Sequence, residues 1–171
     1  GFSNGAAFSN YLACNQANRF AAVAPVSGPL PVVDAPNCRP QRALSFLEIS
    51  GTTDPLVPFN GGEVVIAGMR RGEVLSFAQN GAFWAKNAGC AADPTSTPLP
   101  AIAPADGTSV TRTSFSKCRT GTAVVEYAVA GGGHAWPGGP QYLPKLLVGT
   151  ASRQLDASET IVQFFLAHPM P

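Results

Sequence analysis

The first five residues, Gly1-Phe2-Ser3-Asn4-Gly5, fit the G-x-S-x-G pattern, in which a serine stands on a sharp turn between a strand and a helix. Such a turn lifts the serine hydroxyl clear of the backbone, where it can attack an electrophile. We expect glycine at positions 1 and 5 because side chains there would collide with the neighbouring strand and helix. Ser3 is therefore the candidate nucleophile, and the rest of the chain must supply a base and an acid.

Two histidines are candidates for the base. His168 lies at the end of the predicted terminal helix, where a histidine commonly stabilises the last carbonyl groups. His134 follows a predicted strand and lies in a glycine-rich segment, Gly131–Gly139, that can bend sharply and carry an imidazole to a target outside the sheet. An exposed histidine in an ordinary glycine-rich turn has the same pattern, but elimination favours His134.

The third member is a carboxylate that orients the imidazole. Asp54 directly follows an apolar predicted strand, and catalytic groups collect at the carboxyl ends of strands in open α/β sheets. An aspartate before a proline is also typical of a simple turn, and Glu63 and Asp34 are weaker alternatives. The order Ser3, Asp54, His134 is the succession of serine, acid and histidine found in hydrolases built on such a sheet.

Apolar periodicity predicts helices that alternate with strands. The helices span 5–20, 72–89 and a last segment from Asp156, and the first of them carries an apolar face made of Phe8, Tyr11 and Leu12. Strands are predicted at 21–26, 44–49 and 123–129, with a less regular one at 109–116 and a surface loop at 91–107. The alternation predicts a single domain of the α/β class with a partly parallel sheet.

The composition argues against two kinds of partner, nucleic acid and a membrane. The 171 residues are 45% hydrophobic and 12% charged, and the net charge is +1. No basic stripe is present, so a nucleic-acid partner is not expected. The apolar stretch 21–33 is interrupted by three prolines and is too short to cross a bilayer, so no membrane partner is expected either.

The four cysteines are Cys14, Cys38, Cys90 and Cys118. Of the three possible pairings, Cys14 with Cys38 and Cys90 with Cys118 closes the two shortest loops, and this is the pairing we predict. Four buried free thiols are the alternative. Two disulfides favour an oxidising compartment and hence an extracellular protein.

Five blocks of the sequence together resemble the polyhydroxybutyrate depolymerase and feruloyl esterase group of secreted α/β-hydrolases. They are GFSNGAAFSNYLACNQANRFAAVAPVSG, SGTTDPLVPFNGG, WAKNAGC, GGGHAWPGG and DASETIVQFFLAHP, and they extend over nearly the whole chain. The resemblance implies the α/β-hydrolase fold, with Ser3 as nucleophile, Asp54 as acid and His134 as base. It implies no metal or organic cofactor.

The same resemblance implies an ester substrate, either a polyhydroxyalkanoate or a feruloyl or acetyl ester on plant polysaccharide. Two positions depart from the family pattern: Ser50 stands where histidine is common, and Ala135 stands where threonine is common. Neither departure removes a member of the triad. The change at Ala135 could alter the pocket beside the base.

Two further residues are candidates for substrate contacts. The residue after the nucleophile supplies an oxyanion donor, so we expect the backbone N–H of Asn4 in that role and a second donor from a loop before the turn. Trp136, two residues past the base, could line an acyl or aromatic pocket, although packing under a proline-rich loop explains it equally well.

Triad chemistry alone does not distinguish esters from amides, so a serine peptidase of the same fold is an alternative function. A non-catalytic binding protein that keeps the fold is another. The strand that should precede the turn at Ser3 is missing from the sequence. We therefore expect residues 1–171 to be the C-terminal portion of the sheet of a catalytic domain truncated at its N-terminus.

Overall fold

The computed structural model describes residues 1–102, 104–119 and 121–170. Its helices are α1 (Asn4–Asn15), α2 (Phe77–Ala88), α3 (Lys145–Val148) and α4 (Ala157–Ala167). Its strands are β1 (Ala22–Val23), β2 (Ser45–Gly51), β3 (Gly62–Ile66), β4 (Met69–Val74), β5 (Thr95–Pro98), β6 (Ser109–Phe115) and β7 (Val124–Ala130).

Five strands form one twisted sheet in the order β1-β2-β7-β6-β5. Strands β1, β2 and β7 are parallel, whereas β6 and β5 are added antiparallel at one edge. Phe2 and Val26 form an isolated parallel bridge beside β2, which brings the segment before Ser3 to the other edge. The predicted α/β class with a partly parallel sheet is confirmed. Strands β3 and β4 make a separate antiparallel hairpin.

Strand β2 lies between β1 and β7, and every one of its residues is buried. Alternate side chains point to opposite faces of a strand, so β2 contributes to two cores. Phe46 packs beneath Trp84 of α2 with ring centroids 4.9 Å apart. Leu47 and Ile49 pack on the other face with Ile161 of α4. A strand covered on both faces has a nearly continuous apolar sequence, and this pattern is what predicted β2.

The predicted apolar face of the first helix is wrong. Phe8 is 58% exposed and Tyr11 51% exposed, and their rings stack on each other at the surface. The buried face consists of small residues and one amide, namely Ala6, Asn10, Ala13 and Cys14. Helix α1 lies too close to the segment around Gly28 for large side chains, since a Cβ on Gly28 would lie 2.6 Å from the Cβ of Ala6.

Helix α1 also ends at Asn15, before the predicted limit at residue 20, and two further segments differ from the prediction. The helix predicted at 72–89 begins at Phe77, because Ser76 forms a capping box with Gln79 and the residues before it belong to β4. Its predicted end at Gly89 is correct, and that glycine adopts φ 67°. The segment 91–107, predicted as a loop, contains β5, an exposed edge strand of threonine, serine and proline with little apolar patterning.

Both predicted disulfides are present. Cys14–Cys38 joins the last turn of α1 to the loop before β2, and Cys90–Cys118 joins the segment after α2 to the connection between β6 and β7. Each pair of cysteines packs on the core beneath α2.

Removing the first of these bridges is expected to weaken the fold. This bridge closes a loop of 24 residues. By the loop-entropy relation, such a bridge contributes about 3 to 4 kcal/mol to the free energy of unfolding. The Cys14→Ala/Cys38→Ala double variant should lose that amount in urea denaturation. A free energy of unfolding within about 0.5 kcal/mol of the unaltered protein, the scatter of neutral surface changes, would contradict this expectation.

Candidate active site

The turn at Ser3 is strained and well anchored. Ser3 has φ 54° and ψ −119°, outside the usual regions for a residue with a side chain, and α1 begins at the next residue. Its backbone N–H donates to the carbonyl oxygen of Val26 at 3.0 Å, and the N–H of Val26 donates to Gly1 at 2.8 Å. Such conformations cost about 1 to 3 kcal/mol and persist where surrounding contacts enforce them.

The two glycines of the motif have different roles. A Cβ on Gly1 would collide with the backbone of Gly5 and with Ser9 Oγ, as expected. A Cβ on Gly5 would meet no atom within 4 Å among the described residues, so the predicted steric need for Gly5 is wrong. Gly28 restricts the turn from the other side instead, because a Cβ there would lie 2.7 Å from the carbonyl oxygen of Ser3.

The structure brings Ser3, His134 and Asp54 into one hydrogen-bonded series. His134 Nε2 lies 2.9 Å from Ser3 Oγ, and His134 Nδ1 lies 2.8 Å from Asp54 Oδ2. An ionised carboxylate can only accept, so Nδ1 carries the proton and Nε2 accepts the bond from the Ser3 hydroxyl. The side chains of His134 and Asp54 are only 4% and 2% exposed. The series is therefore shielded from water on the side of the acid.

Neighbouring strands position Asp54 and His134, the candidate acid and base. Asp54 follows β2 and His134 follows β7, and these two strands are parallel neighbours. Thr53 donates to the carbonyl oxygen of Gly132 from both its backbone N–H, at 3.0 Å, and its hydroxyl, at 2.9 Å. Gly131 donates to the hydroxyl of Thr52 at 3.0 Å. These bonds tie the two loops together next to the triad.

The carboxylate of Asp54 is held by its own loop. Its Oδ1 accepts from the backbone N–H groups of Leu56 and Val57 at 2.8 and 2.9 Å. With Oδ1 fixed in this way, Oδ2 points at the imidazole. The turn that begins at Asp54 thus also orients its carboxylate toward His134. The two interpretations of Asp54-Pro55, a simple turn and a candidate acid, are therefore compatible.

Tyr142 contacts His134, the candidate base, and was not anticipated from the sequence. Its hydroxyl donates to the carbonyl oxygen of His134 at 3.0 Å, and its ring meets the edge of Phe2 at a centroid distance of 6.2 Å. Burial and the nearby Asp54 raise the pKa of Tyr142. The ring of Phe2 in turn lies 4.9 Å from that of His134. A tyrosine in a proline-rich loop gives no sequence signal for such a contact.

The alternative acids and base lie elsewhere. Glu63 pairs with Arg70 at 3.1 Å on the exposed β3–β4 hairpin. Asp34 lies in the loop after β1, where its N–H donates to Pro31. His168 follows the last residue of α4 and packs on Phe164, and burial lowers its pKa.

The other predicted site residues have defined places. Asn4 is the first residue of α1, so its N–H has no acceptor within the helix. Trp136 donates from Nε1 to Ser158 Oγ at 3.0 Å and packs partly on the core beneath α4, with its ring 6.4 Å from that of Phe2. Ala135 is buried. Ser50 is buried too and donates to Glu48 Oε1 at 3.3 Å.

Two buried glutamates beneath the site were also missed. Glu48 and Glu126 are directly opposite each other on β2 and β7. Asn80 of α2 donates to Glu48 Oε2 at 2.7 Å, and the carboxyl group of Glu126 lies against the backbone of Gly81. Burial raises the pKa of Glu48 to about 8, and burial together with Glu48 raises that of Glu126 to about 9. A glutamate inside an otherwise apolar strand was the available signal.

Residues 1–102, 104–119 and 121–170 contain neither a metal-binding cluster nor a helix that could span a membrane. No group of three or more histidine, cysteine, aspartate or glutamate side chains in these segments could hold a metal ion. No helix there combines the length and apolar character needed to cross a bilayer.

Two curated proteins with esterase names are similar to this chain. One is "Putative esterase NocK" of Nocardia uniformis subsp. tsuyamanensis, 34% identical over an alignment of 172 residues that covers 97% of this chain and 49% of that protein. The other is "Feruloyl esterase B" of Piromyces equi, 32% identical over an alignment of 140 residues that covers 79% of this chain and 24% of that protein. No protein-family model matches. The chain thus spans about half the length of the first relative and about a quarter of the second.

Proposed function

We propose that this chain carries the catalytic centre of a serine esterase and belongs to a single α/β-hydrolase domain. The observation that carries the proposal is the bonded series from Ser3 Oγ through His134 to Asp54, with the serine on a strained turn at the start of a helix. The esterase names of two relatives support ester hydrolysis as its reaction.

In the proposed mechanism, Ser3 Oγ forms a bond to the ester carbonyl carbon while its proton passes to His134 Nε2. Asp54 stabilises the charged imidazole through Nδ1–H. The carbonyl re-forms, the bond to the alkoxy oxygen breaks, and His134 gives its proton to the departing alcohol. Water then repeats the sequence on the acyl-serine, with His134 first accepting its proton and then returning it to Ser3.

The oxyanion formed in each half of the reaction needs donors that are already in place. The N–H of Asn4 is our candidate, because it is adjacent to the nucleophile and lies at the amino end of α1, where the helix dipole favours negative charge. No bound metal or organic cofactor enters any of these steps.

The substrate class we propose is an ester of a hydroxy acid, a hydroxycinnamate or an acetylated polysaccharide. The ring of Phe2 packs on that of His134, and the rings of Trp136 and Tyr142 meet the ring of Phe2 edge-on. This aromatic wall favours an aryl acyl group such as feruloyl, and one relative is named a feruloyl esterase. The two disulfides support an extracellular location.

A panel of substrates tests this proposal. We expect hydrolysis of p-nitrophenyl butyrate and methyl ferulate, and no turnover of a peptide anilide above the background of a Ser3→Ala variant. Faster cleavage of the anilide would favour a peptidase. Absence of turnover on every ester in the panel would favour a binding protein and overturn the proposal.

Loss of the tyrosine hydroxyl that supports the base should reduce turnover modestly. Tyr142→Phe removes the bond to the carbonyl oxygen of His134, and a bond of this kind is worth about 0.5 to 1.5 kcal/mol, or roughly 2- to 10-fold in kcat. Tyr142 is 47% exposed, so the melting temperature should hardly change. Tyr11→Phe on the outer face of α1 is the control. Equal kcat values for the two variants would contradict the positioning role.

A further inference from the structure

The structure contains a cationic cavity that the proposed function does not use. Its volume is about 480 Å³ and four basic side chains line it, Arg39, Arg42, Lys86 and Arg119. The amide side chains of Gln41 and Asn87 line it as well, and no acidic side chain of the described residues does. Four of the eleven lysines and arginines of a chain with net charge +1 are therefore gathered around one cavity.

The cavity lies far from Ser3. Its wall includes residues 38–43, just before β2, and Arg119 in the connection that leads to β7, at the amino ends of the parallel strands. The triad follows the carboxyl ends of the same strands. Strand β2 has seven residues, so roughly 20 Å separates the two places at about 3.3 Å per residue. The cavity is thus a separate site and not part of the proposed active site.

The four cations are not neutralised by neighbouring carboxylates. In the part of the chain that the structure describes, the pairs of a basic and an acidic side chain within 4.0 Å are Arg70 with Glu63 and His134 with Asp54. Neither pair includes a residue of the cavity. Like charges brought together repel each other unless an anion joins them. The carboxyl end of α2 favours nearby positive charge and accounts for Lys86 and Arg119, but it does not account for Arg39 and Arg42.

The backbone of the cavity walls is anchored, and so is the side chain of Arg42. Arg39 directly follows Cys38 and Arg119 directly follows Cys118, so each is adjacent to a disulfide. The N–H of Arg119 donates to the carbonyl oxygen of Ala88 at 2.9 Å. Arg42 donates to the carbonyl oxygens of Phe20 and Ala43 at 2.6 and 3.0 Å. A guanidinium has five N–H donors, so these two bonds leave others for a ligand.

Guanidinium groups bind carboxylates and phosphates through paired N–H bonds, and several of them around one cavity favour a ligand with more than one anionic group. We propose that this cavity binds a small multivalent oxyanion, in which two or more carboxylate or phosphate groups lie close together. The volume admits a ligand of several such groups.

The test is calorimetric titration of the protein with citrate and with pyrophosphate at constant ionic strength. We expect saturable binding of at least one of them. Citrate alone would identify a polycarboxylate ligand, and pyrophosphate alone a phosphate ligand. Absence of saturable binding for both would overturn the proposal.

Substitutions test whether the anion binds in the cavity. Arg39→Gln and Arg119→Gln should each weaken affinity about tenfold, because each removes charge-assisted bonds. Arg71→Gln on the β3–β4 hairpin removes the same charge elsewhere and should leave affinity unchanged. Arg39 and Arg119 are exposed, so these two variants should fold. Lys86 is exposed as well, so Lys86→Gln is a further variant of the cavity. Equal affinity in the cavity variants and Arg71→Gln would show a diffuse charge effect and overturn the proposal.

A second readout does not depend on affinity. Phenylglyoxal modifies accessible arginines, and the bound anion should slow modification of Arg39 and Arg119 while leaving Arg71 unaffected. Equal protection of all three would contradict a site in the cavity.

Discussion

Ser3→Ala and His134→Ala should each lower ester turnover by roughly 10⁴-fold or more, and the double variant should be no worse than either alone. The two side chains are bonded at 2.9 Å and act as one unit, so removing one partner leaves the other without a role. Asp54→Asn should lower turnover somewhat less, because Ser3 and His134 remain. Steady-state kcat on p-nitrophenyl butyrate measures all four variants.

Ser96→Ala and His168→Ala are the matched controls. Ser96 is exposed on the edge strand β5, where its hydroxyl bonds to that of Thr113, and His168 follows α4. Both variants should keep turnover within about twofold of the unaltered chain, as surface changes usually do. Normal turnover in His134→Ala together with a large loss in His168→Ala would contradict the assignment of the base.

Stability should fall as the pH rises from about 5 to about 9, because of the buried pair Glu48 and Glu126. Their pKa values are raised in the folded protein to about 8 and about 9, above the ordinary value of 4.5. The folded protein therefore holds more protons than the unfolded chain across this interval. The contribution of the pair to stability is fully present below about pH 4.5 and is lost as the pH rises through the folded values, because the unfolded chain releases these protons first.

The groups around the pair do not offer a counter-charge. Glu48 accepts from Asn80 and Ser50, and the carboxyl group of Glu126 lies against the backbone of Gly81. Oxygen Oε1 of Glu126 has no hydrogen-bond partner among the described residues. Ionisation would thus place two negative charges side by side in the core.

Urea denaturation at several pH values between 5 and 9 measures this effect. Glu126→Gln keeps the shape of the side chain and cannot ionise, so the decline of the free energy of unfolding with pH should be about half as steep. Glu73→Gln on the exposed face of β4 is the control and should retain the full slope. A flat profile in the unaltered chain would contradict the prediction.

The buried strands β2 and β7 and the order of the site residues could be predicted from local patterns. A strand buried on both faces is a continuous apolar run, and the residues after β2 and β7 meet because the carboxyl ends of neighbouring parallel strands lie together. The sequence therefore sufficed to expect that Asp54 and His134 would be close. The strained turn at Ser3 followed from its glycine-flanked motif.

Features that depend on tertiary contacts could not be predicted in this way. Phe8 and Tyr11 have helical spacing, yet the close approach of Gly28 makes the small residues of α1 the buried ones. The contact of Tyr142 with His134 spans a loop whose path has no periodicity. The pairing of Glu48 with Glu126 requires the register of β2 against β7, which neither strand reveals alone.

Trapping of an acyl-enzyme is the most direct measurement of whether Ser3 is the nucleophile. The protein is mixed with p-nitrophenyl butyrate, quenched in acid within the first turnovers, digested and mapped by mass spectrometry. We expect one butyryl group on Ser3, a rapid release of p-nitrophenol equal to the amount of acylated protein, and neither signal in His134→Ala. Hydrolysis without acylation of Ser3, or a butyryl group on another residue at the same yield in Ser3→Ala, would contradict the proposed function.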